Sequence, residues 1–308
     1  MRGNFLKKVL ITGGSGLLGL NWAVAIRENF HVILALHKKN ISLNNAQIYK
    51  CSFGSYDHCV KLIEDIEPDI IIHAAGATNV EFCELNPEYA DHINGVVPGW
   101  LAAISRKKNI AFAHISTDHL SSGLSPMSKE DEVVEPKNFY ALSKRQGEIN
   151  VLQSYPKALV IRTNFFGWGT TYRRSFSDFI IANLTNNQQI DLFVDVFYTP
   201  IEVTILAQRA MRLIEGGMTG ILNIAGDERI SKYDFGLKLA SRFNLDTSLI
   251  RSSSIDRFPN LTSRPKDMSL DCDRARKILN LSPMTVDEQI NVLFDNRNDQ
   301  GCEEIIKL

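Results

Sequence analysis

The segment Lys7–Leu20, KKVLITGGSGLLGL, governs how the rest of the chain is read. Its short apolar run ends abruptly in glycines, the form of a parallel strand buried on both faces. Gly13, Gly16 and Gly19 then separate that strand from an apolar helix expected from Ser15 to about Asn29. Without side chains at these points, backbone N–H groups can approach a pyrophosphate at the positive end of the helix, and helix and strand can pack closely. Three glycines alone are weak evidence, but between a strand and a helix they are a strong sign of dinucleotide binding. Ser15, Leu17 and Leu18, inside the same turn, are taken with them as cofactor-binding positions.

Outward from this turn, strand and helix alternate. FHVILALHKK reads as a second strand, YDHCVKLIEDIEPD as a helix stopped by Pro68, and DIIIHAAG as another buried strand. NPEYADHINGVVPGWLAAISRKKN reads as one long helix, with Asn86 as N-cap and Pro87 at the first helical position. Strand IAFAHIST, a loop over 118–138, a helix carrying Tyr140 and Lys144, and strand ALVIRT follow. This alternation implies right-handed crossovers and an α/β fold, a Rossmann-like doubly wound parallel sheet. After Thr163 the rhythm breaks. A helix near 202–215, a strand GILNIAG, a helix from about Ser231 and two charged helices near 272–279 and 285–294 interleave with irregular segments. Residues 1–165 are therefore expected to form the dinucleotide-binding domain, with about 195–225 returning to it. Residues 166–194 and 226–296 are expected to form a smaller α/β substrate-binding lobe, and 297–308 a tail that frays.

Composition narrows the function classes. The 308 residues are 44% hydrophobic and 22% charged, as in a soluble globular protein. A net charge of −1 offers no basic field for nucleic acid or an anionic membrane. The positive start is followed by too few apolar residues for a signal-peptide core, and no apolar run could span a bilayer. Cys51, Cys59, Cys83, Cys272 and Cys302, an odd and scattered set, suit reduced thiols in the cytoplasm. No His, Cys, Asp or Glu cluster has metal-ligand spacing, so no metal is expected.

Ligands of a doubly wound sheet bind beyond the carboxyl ends of its strands. Those ends carry His73, Ala74, Ala75 and Gly76, then Ser116, Thr117 and Asp118, then Asn164 and Phe165. The second strand ends in His37, Lys38 and Lys39, without the carboxylate that NAD-preferring folds place there. Cations at that point suit the 2′-phosphate of NADP(H), leaving NAD(H) as the alternative. A solvated lysine turn would look the same.

In NFYALSKRQGE, Tyr140 and Lys144 are one helical turn apart and share a face. A lysine stem covering a helix beside an edge tyrosine shows that spacing too. Reaction chemistry supplies another reason for it. A hydride reaching a carbonyl carbon builds negative charge on oxygen, which needs a proton and a hydrogen-bond donor. An ammonium near a phenol lowers the phenol's pKa towards the operating pH. Thr117, Tyr140 and Lys144 are thus the candidate catalytic set, with Thr117 orienting the oxygen.

TGGSGLLG, IIIHAAG, HIST and YALSK together resemble the extended short-chain dehydrogenases/reductases. AGATNVEFCELNPEYADHIN, STDHLSSG, RTNFFG and a late RP resemble the dTDP-4-dehydrorhamnose reductase branch over roughly residues 7–295. The resemblance implies that Ala74–Gly76 flank the cofactor and that Asn94 supports Lys144 through water, although an ordinary polar helix residue would fit Asn94 as well. It also implies a homodimer. Three departures stand out: His119 replaces the branch's tyrosine, Ser52 (beside Phe53) stands where an aspartate meets the adenine, and DVFYTP follows the branch pattern loosely. Thr78, Asp118, His119, Arg174 and Arg264 are the candidate substrate contacts. Arg173, Arg174, Arg264 and Lys266 are the cations available to a sugar nucleotide's pyrophosphate.

Three functions follow from this reading. One is reduction of a keto group on a nucleotide-linked deoxysugar by NADP(H). Another is epimerisation with retained NAD; a dehydratase would need a glutamate after Asp118, where the chain has His119. The third is a non-catalytic nucleotide-binding subunit, as in the beta subunit of methionine adenosyltransferase, which resembles the same branch.

Overall fold

The computed structural model describes residues 6–308; the first five, part of the stretch weighed against a signal peptide, lie outside. Its centre is a seven-stranded sheet. β1 (Lys8–Thr12), β2 (His31–Leu36), β3 (Ala46–Lys50), β4 (Ile70–His73), β5 (Ala111–Ile115) and β6 (Leu159–Arg162) are joined by a late strand, Gly220–Asn223. The order across the sheet is Gly220–Asn223, β6, β5, β4, β1, β2, β3, with every pairing parallel. The expected Rossmann-like sheet is therefore present, and strand order reverses between β1 and β4. Successive side chains on a strand face opposite sides. Val9, Ile11, Ile70 and Ile72 enter one core, beneath helix α1 (Leu17–Ile26), while Leu10 and Ile71 enter the other. The second core packs against α2 (Tyr56–Ile66) and α5 (Val97–Lys108).

Local chemistry sets the helix boundaries. α1 begins at Leu17, later than Ser15, because Gly13 turns the chain at φ +69° and its carbonyl accepts from Gly16 N–H at 2.8 Å. α2 starts at the Ser55 side-chain cap and stops at Glu67, which is left-handed before Pro68. α3 (Val80–Leu85) precedes the expected long helix, which runs unbroken over 87–108 with a π-helical stretch inside it. It comprises α4 (Pro87–Ala90), a π-helical segment Asp91–Val96 and α5. Asn86 occupies the N-cap position, but its amide turns back to Phe82 O and makes no cap bond. α6 (Phe139–Ser154) is capped by the Asn138 side chain, which accepts from Ala141 N–H at 2.8 Å.

A third core lies beyond the sheet's carboxyl edge. Phe166, Tyr198 and Phe235 centre it, with the helices Phe176–Thr185, Lys232–Arg242 and Val286–Asp295 around them. Helix Val203–Glu215 returns to α1, burying Leu206, Ala207 and Ala210 in the first core. The tail is helical and docked where fraying was expected. Gln300–Lys307 is a helix whose Ile305 is fully buried in the first core. Its Glu304 pairs with Arg27 at 2.7 Å and accepts from Asn44 N–H. An apolar stripe too short to stand out in the sequence finds its partner on α1, far away in the chain.

Candidate active site

The strand reversal opens a crevice where β1 and β4 deliver the glycine turn and the Ala74–Gly76 segment side by side. A Cβ at Gly13 would lie 2.8 Å from Ala75 N and 2.9 Å from Ala74 O, so only glycine fits. From here a cavity of about 850 Å³ runs along the strand ends. Gly13, Ser15, Gly16, Leu17, Leu18 and Gly19 line one end, beside Ala74, Ala75 and Gly76. Thr117, Tyr140 and Lys144 line the other, with Thr78, Asp118, His119, Asn164, Phe165, Arg173 and Arg174.

The loop after β5 and the first turns of α6 bring the trio together. Tyr140 is 8% and Lys144 5% exposed. Lys144 Nζ donates to Ile115 O at 2.5 Å, tying α6 to the last residue of β5. Burial pushes the Lys144 ammonium down to about 8, while Glu148 works against that shift. Burial also pushes the Tyr140 phenol well up, opposed by the Thr117 hydroxyl beside it. Desolvation thus works against the expected lowering of the phenol's pKa. Asp118 accepts from Thr117 Oγ1 at 3.3 Å and from Asn164 Nδ2 at 2.6 Å. The neutral His119 ring meets the Tyr140 ring edge-on, centroids 5.4 Å apart, and burial lowers its pKa.

Several candidate residues lie elsewhere. Asn94 sits in the π-helical turn, where its amide bonds both Ala77 N–H and C=O at 2.9 Å and donates to Ser143 Oγ at 3.0 Å. Those contacts pin the Ala77 segment, and no direct hydrogen bond joins Asn94 to Lys144. Ser52 hydrogen-bonds His58 and Phe53 packs edge-on to His73; neither lines the cavity. Of His37, Lys38 and Lys39, the cavity wall takes Lys39, whose Nζ lies 4.4 Å over the Tyr172 ring. Tyr172 in turn donates to Ser15 O at 3.0 Å, crossing from the segment after β6 to the glycine turn.

Arg264 faces an adjoining cleft of about 360 Å³, reached past His119 and Asn164, and pairs with Glu81. Lys266 is held by Asp195 at 3.1 Å and Asp256 at 2.6 Å, and lines neither cavity. Sequence reasoning missed Lys232, whose ammonium opens on the cleft. It lies over the rings of Tyr198 at 3.2 Å and Phe176 at 4.7 Å. Burial brings it down to about 7, against the pull of Asp118. No sequence signal marked it, because Lys232 follows an N-cap serine like any surface lysine. Among the described residues no three His, Cys, Asp or Glu side chains gather as a metal site would require.

A doubly wound sheet with a glycine turn at its reversal and a buried threonine–tyrosine–lysine cluster at the strand ends defines an extended short-chain dehydrogenase/reductase. The chain belongs to the family described as the RmlD substrate binding domain, whose model matches residues 7–298. It is 28% identical to the probable low-salt glycan biosynthesis reductase of Haloferax volcanii, over 92% of this chain and 96% of that one. It is 30% identical to methionine adenosyltransferase 2 subunit beta of Xenopus laevis, over 88% and 82% respectively. The crystal structure of a hypothetical dTDP-4-dehydrorhamnose reductase from Sulfolobus tokodaii superposes with a TM-score of 0.80 at 31% identity, over 91% and 98%.

Proposed function

We propose that the protein reduces a keto group on a nucleotide-linked deoxysugar with NADP(H). One observation carries the reading: Thr117, Tyr140 and Lys144 line the same cavity as the glycine turn. The residues there suit the cofactor. The glycine turn lining the cavity at the start of α1 suits a pyrophosphate, and Lys39, with His37 and Lys38 beside it, supplies cations for a 2′-phosphate. Bound there, NADP(H) would supply a hydride to the carbonyl carbon. Tyr140, kept protonated by burial, is the acid for the developing oxyanion. Thr117 orients that oxygen, and Lys144, charged below about pH 8, holds the ribose hydroxyls. Asp118, His119 and Asn164 line the substrate side, and Lys232 offers a donor to the nucleotide part in the adjoining cleft. Five free thiols support a cytoplasmic setting, and a homodimer belongs to this reading.

The first experiment titrates purified protein with NADPH and NADH by thermal shift, since a native-state ligand raises apparent stability by mass action. NADPH should stabilise more. Turnover of dTDP-4-dehydro-6-deoxysugars should then fall roughly 10²–10⁴-fold in Tyr140→Phe while NADPH binding persists. Binding of neither nucleotide would defeat the oxidoreductase reading, and NAD that copurifies would indicate an epimerase. A second reading, a non-catalytic regulatory subunit, is favoured by the likeness to the methionine adenosyltransferase subunit. Nucleotide binding without turnover, together with a copurifying partner, would support it.

A further inference from the structure

Beneath the trio lies a buried ionic cluster that the proposed chemistry does not use. Glu148, on α6 one turn beyond Lys144 and two beyond Tyr140, is fully buried. Its Oε1 accepts from Ser116 Oγ at 2.7 Å and Arg162 Nε at 2.9 Å. Its Oε2 accepts from Arg162 Nη2 at 2.9 Å and Arg145 Nη1 at 2.8 Å. Arg162, 5% exposed, ends β6 and also donates to Glu130 O at 3.3 Å. Ser116 lies between Ile115, whose carbonyl receives Lys144, and Thr117.

The geometry is costly for a purely structural contact. A carboxylate and a guanidinium removed from water gain little net stability over an apolar pair of the same shape. This pair grips the three pieces of chain that bear the trio and its neighbours: α6, the exit of β5 and the exit of β6. Apart from the Ile115 carbonyl, the groups around Lys144 do little for a cation. His73 of β4 and His114 of β5 are buried and neutral, and Tyr140 on its own helix keeps its proton. The carboxylate that opposes the desolvation of the ammonium is Glu148, itself held ionised by Arg162, Ser116 and Arg145.

We propose that Glu148 is a positioning residue of the candidate site, its carboxylate holding the Ser116–Thr117 segment against α6 one turn from Lys144. From that place on the helix it also favours the ammonium form of Lys144. The consequence for cofactor binding rests on the NADP(H) reading above; the protonation of Lys144 does not.

Two measurements on the full chain separate these. In protein carrying ¹³C-labelled lysine, the Lys144 ε-carbon should titrate near 8 in the native chain and at lower pH in Glu148→Gln. The alkaline fall in NADPH affinity should move down with it. Should Glu148→Gln strand Arg162 and fail to fold, Glu148→Gln/Arg162→Met removes both charges and should give a smaller downward shift, because loss of the guanidinium partly offsets loss of the carboxylate. Ser116→Ala cuts only the tie to the Thr117 segment. It should lower kcat several-fold and leave the Lys144 midpoint and the NADPH KM in place. A lower melting temperature with an unmoved Lys144 midpoint in the folded Glu148 variants would reduce Glu148 to a structural role and overturn the proposal. A native chain that binds no NADPH would instead defeat the functional reading, and the titration would still decide the role of Glu148.

Discussion

Lys232 shows how a single side chain takes its meaning from its surroundings. The neighbouring cations Lys266 and Arg264 are neutralised by carboxylates, whereas Lys232 is held over two aromatic rings and makes no side-chain hydrogen bond. Burial lowers its pKa to about 7, so it is charged below that pH and loses its charge above it. Affinity for an anionic nucleotide should therefore fall as pH rises through about 7. Titration with dTDP should show this slope in the native chain and a flat profile in Lys232→Met. A charge-assisted hydrogen bond contributes roughly 1.5–3 kcal/mol, so the loss at pH 6 should be on the order of tenfold or more. Gly13 is constrained by backbone instead. At φ +69° and 2.8 Å from Ala75 N, Gly13→Ala combines left-handed strain with a clash. It should cost about 1–3 kcal/mol in denaturant unfolding and abolish NADPH-induced stabilisation.

At the scale of elements, β4 and β5 place His73 and His114 directly opposite each other, rings 5.3 Å apart. Both are fully buried; Thr12 bonds His73 Nδ1 at 2.8 Å, and three of the four ring nitrogens have no partner. Burial pushes His73 down to about 3 and His114 well below the usual imidazole range, with Lys144 adding to both shifts. In the unfolded chain each titrates near ~6.5, so between about pH 6.5 and 3 the unfolded state binds more protons. Stability should be independent of these groups above pH 6.5 and fall below it, by up to about 1.4 kcal/mol per pH unit for each imidazole. Urea unfolding from pH 8 to 4 should show a shallower slope in His114→Phe. Another close approach, between α6 and the π-helical turn, depends on Gly147, where a Cβ would lie 2.1 Å from Asn94 O.

The whole molecule is closed by its last helix. Cys302 and Ile305 are buried against α1, and Glu304 bridges Arg27 and the Asn44 backbone across nearly the full chain length. Ile305→Ala should destabilise the fold by about 2–5 kcal/mol, the range for truncating a buried isoleucine. Chemical denaturation would measure it. An effect within 0.5 kcal/mol would mean the helix docks only weakly. NADPH affinity should change less than stability, because Glu304 anchors this helix at Arg27, at the end of α1 opposite the glycine turn.

Strand and helix alternation, the glycine turn and the Tyr140–Lys144 spacing were legible in the sequence because each depends on local periodicity or on a residue type that only one backbone geometry requires. A parallel sheet follows from that local code, whereas its reversal between β1 and β4 is set by which distant strands pair. Other features depend on groups far apart in sequence meeting in low-dielectric surroundings. These include the raised phenol of Tyr140, the inward turn of Asn94, the choice of Lys39 for the cavity wall, and the docking of the tail. Charge shows the division most clearly. Read from the sequence, Arg264 and Lys266 are available cations and a third, Lys232, goes unmarked. Tertiary packing supplies carboxylate partners to two of them and leaves the third, partly desolvated, facing the cleft.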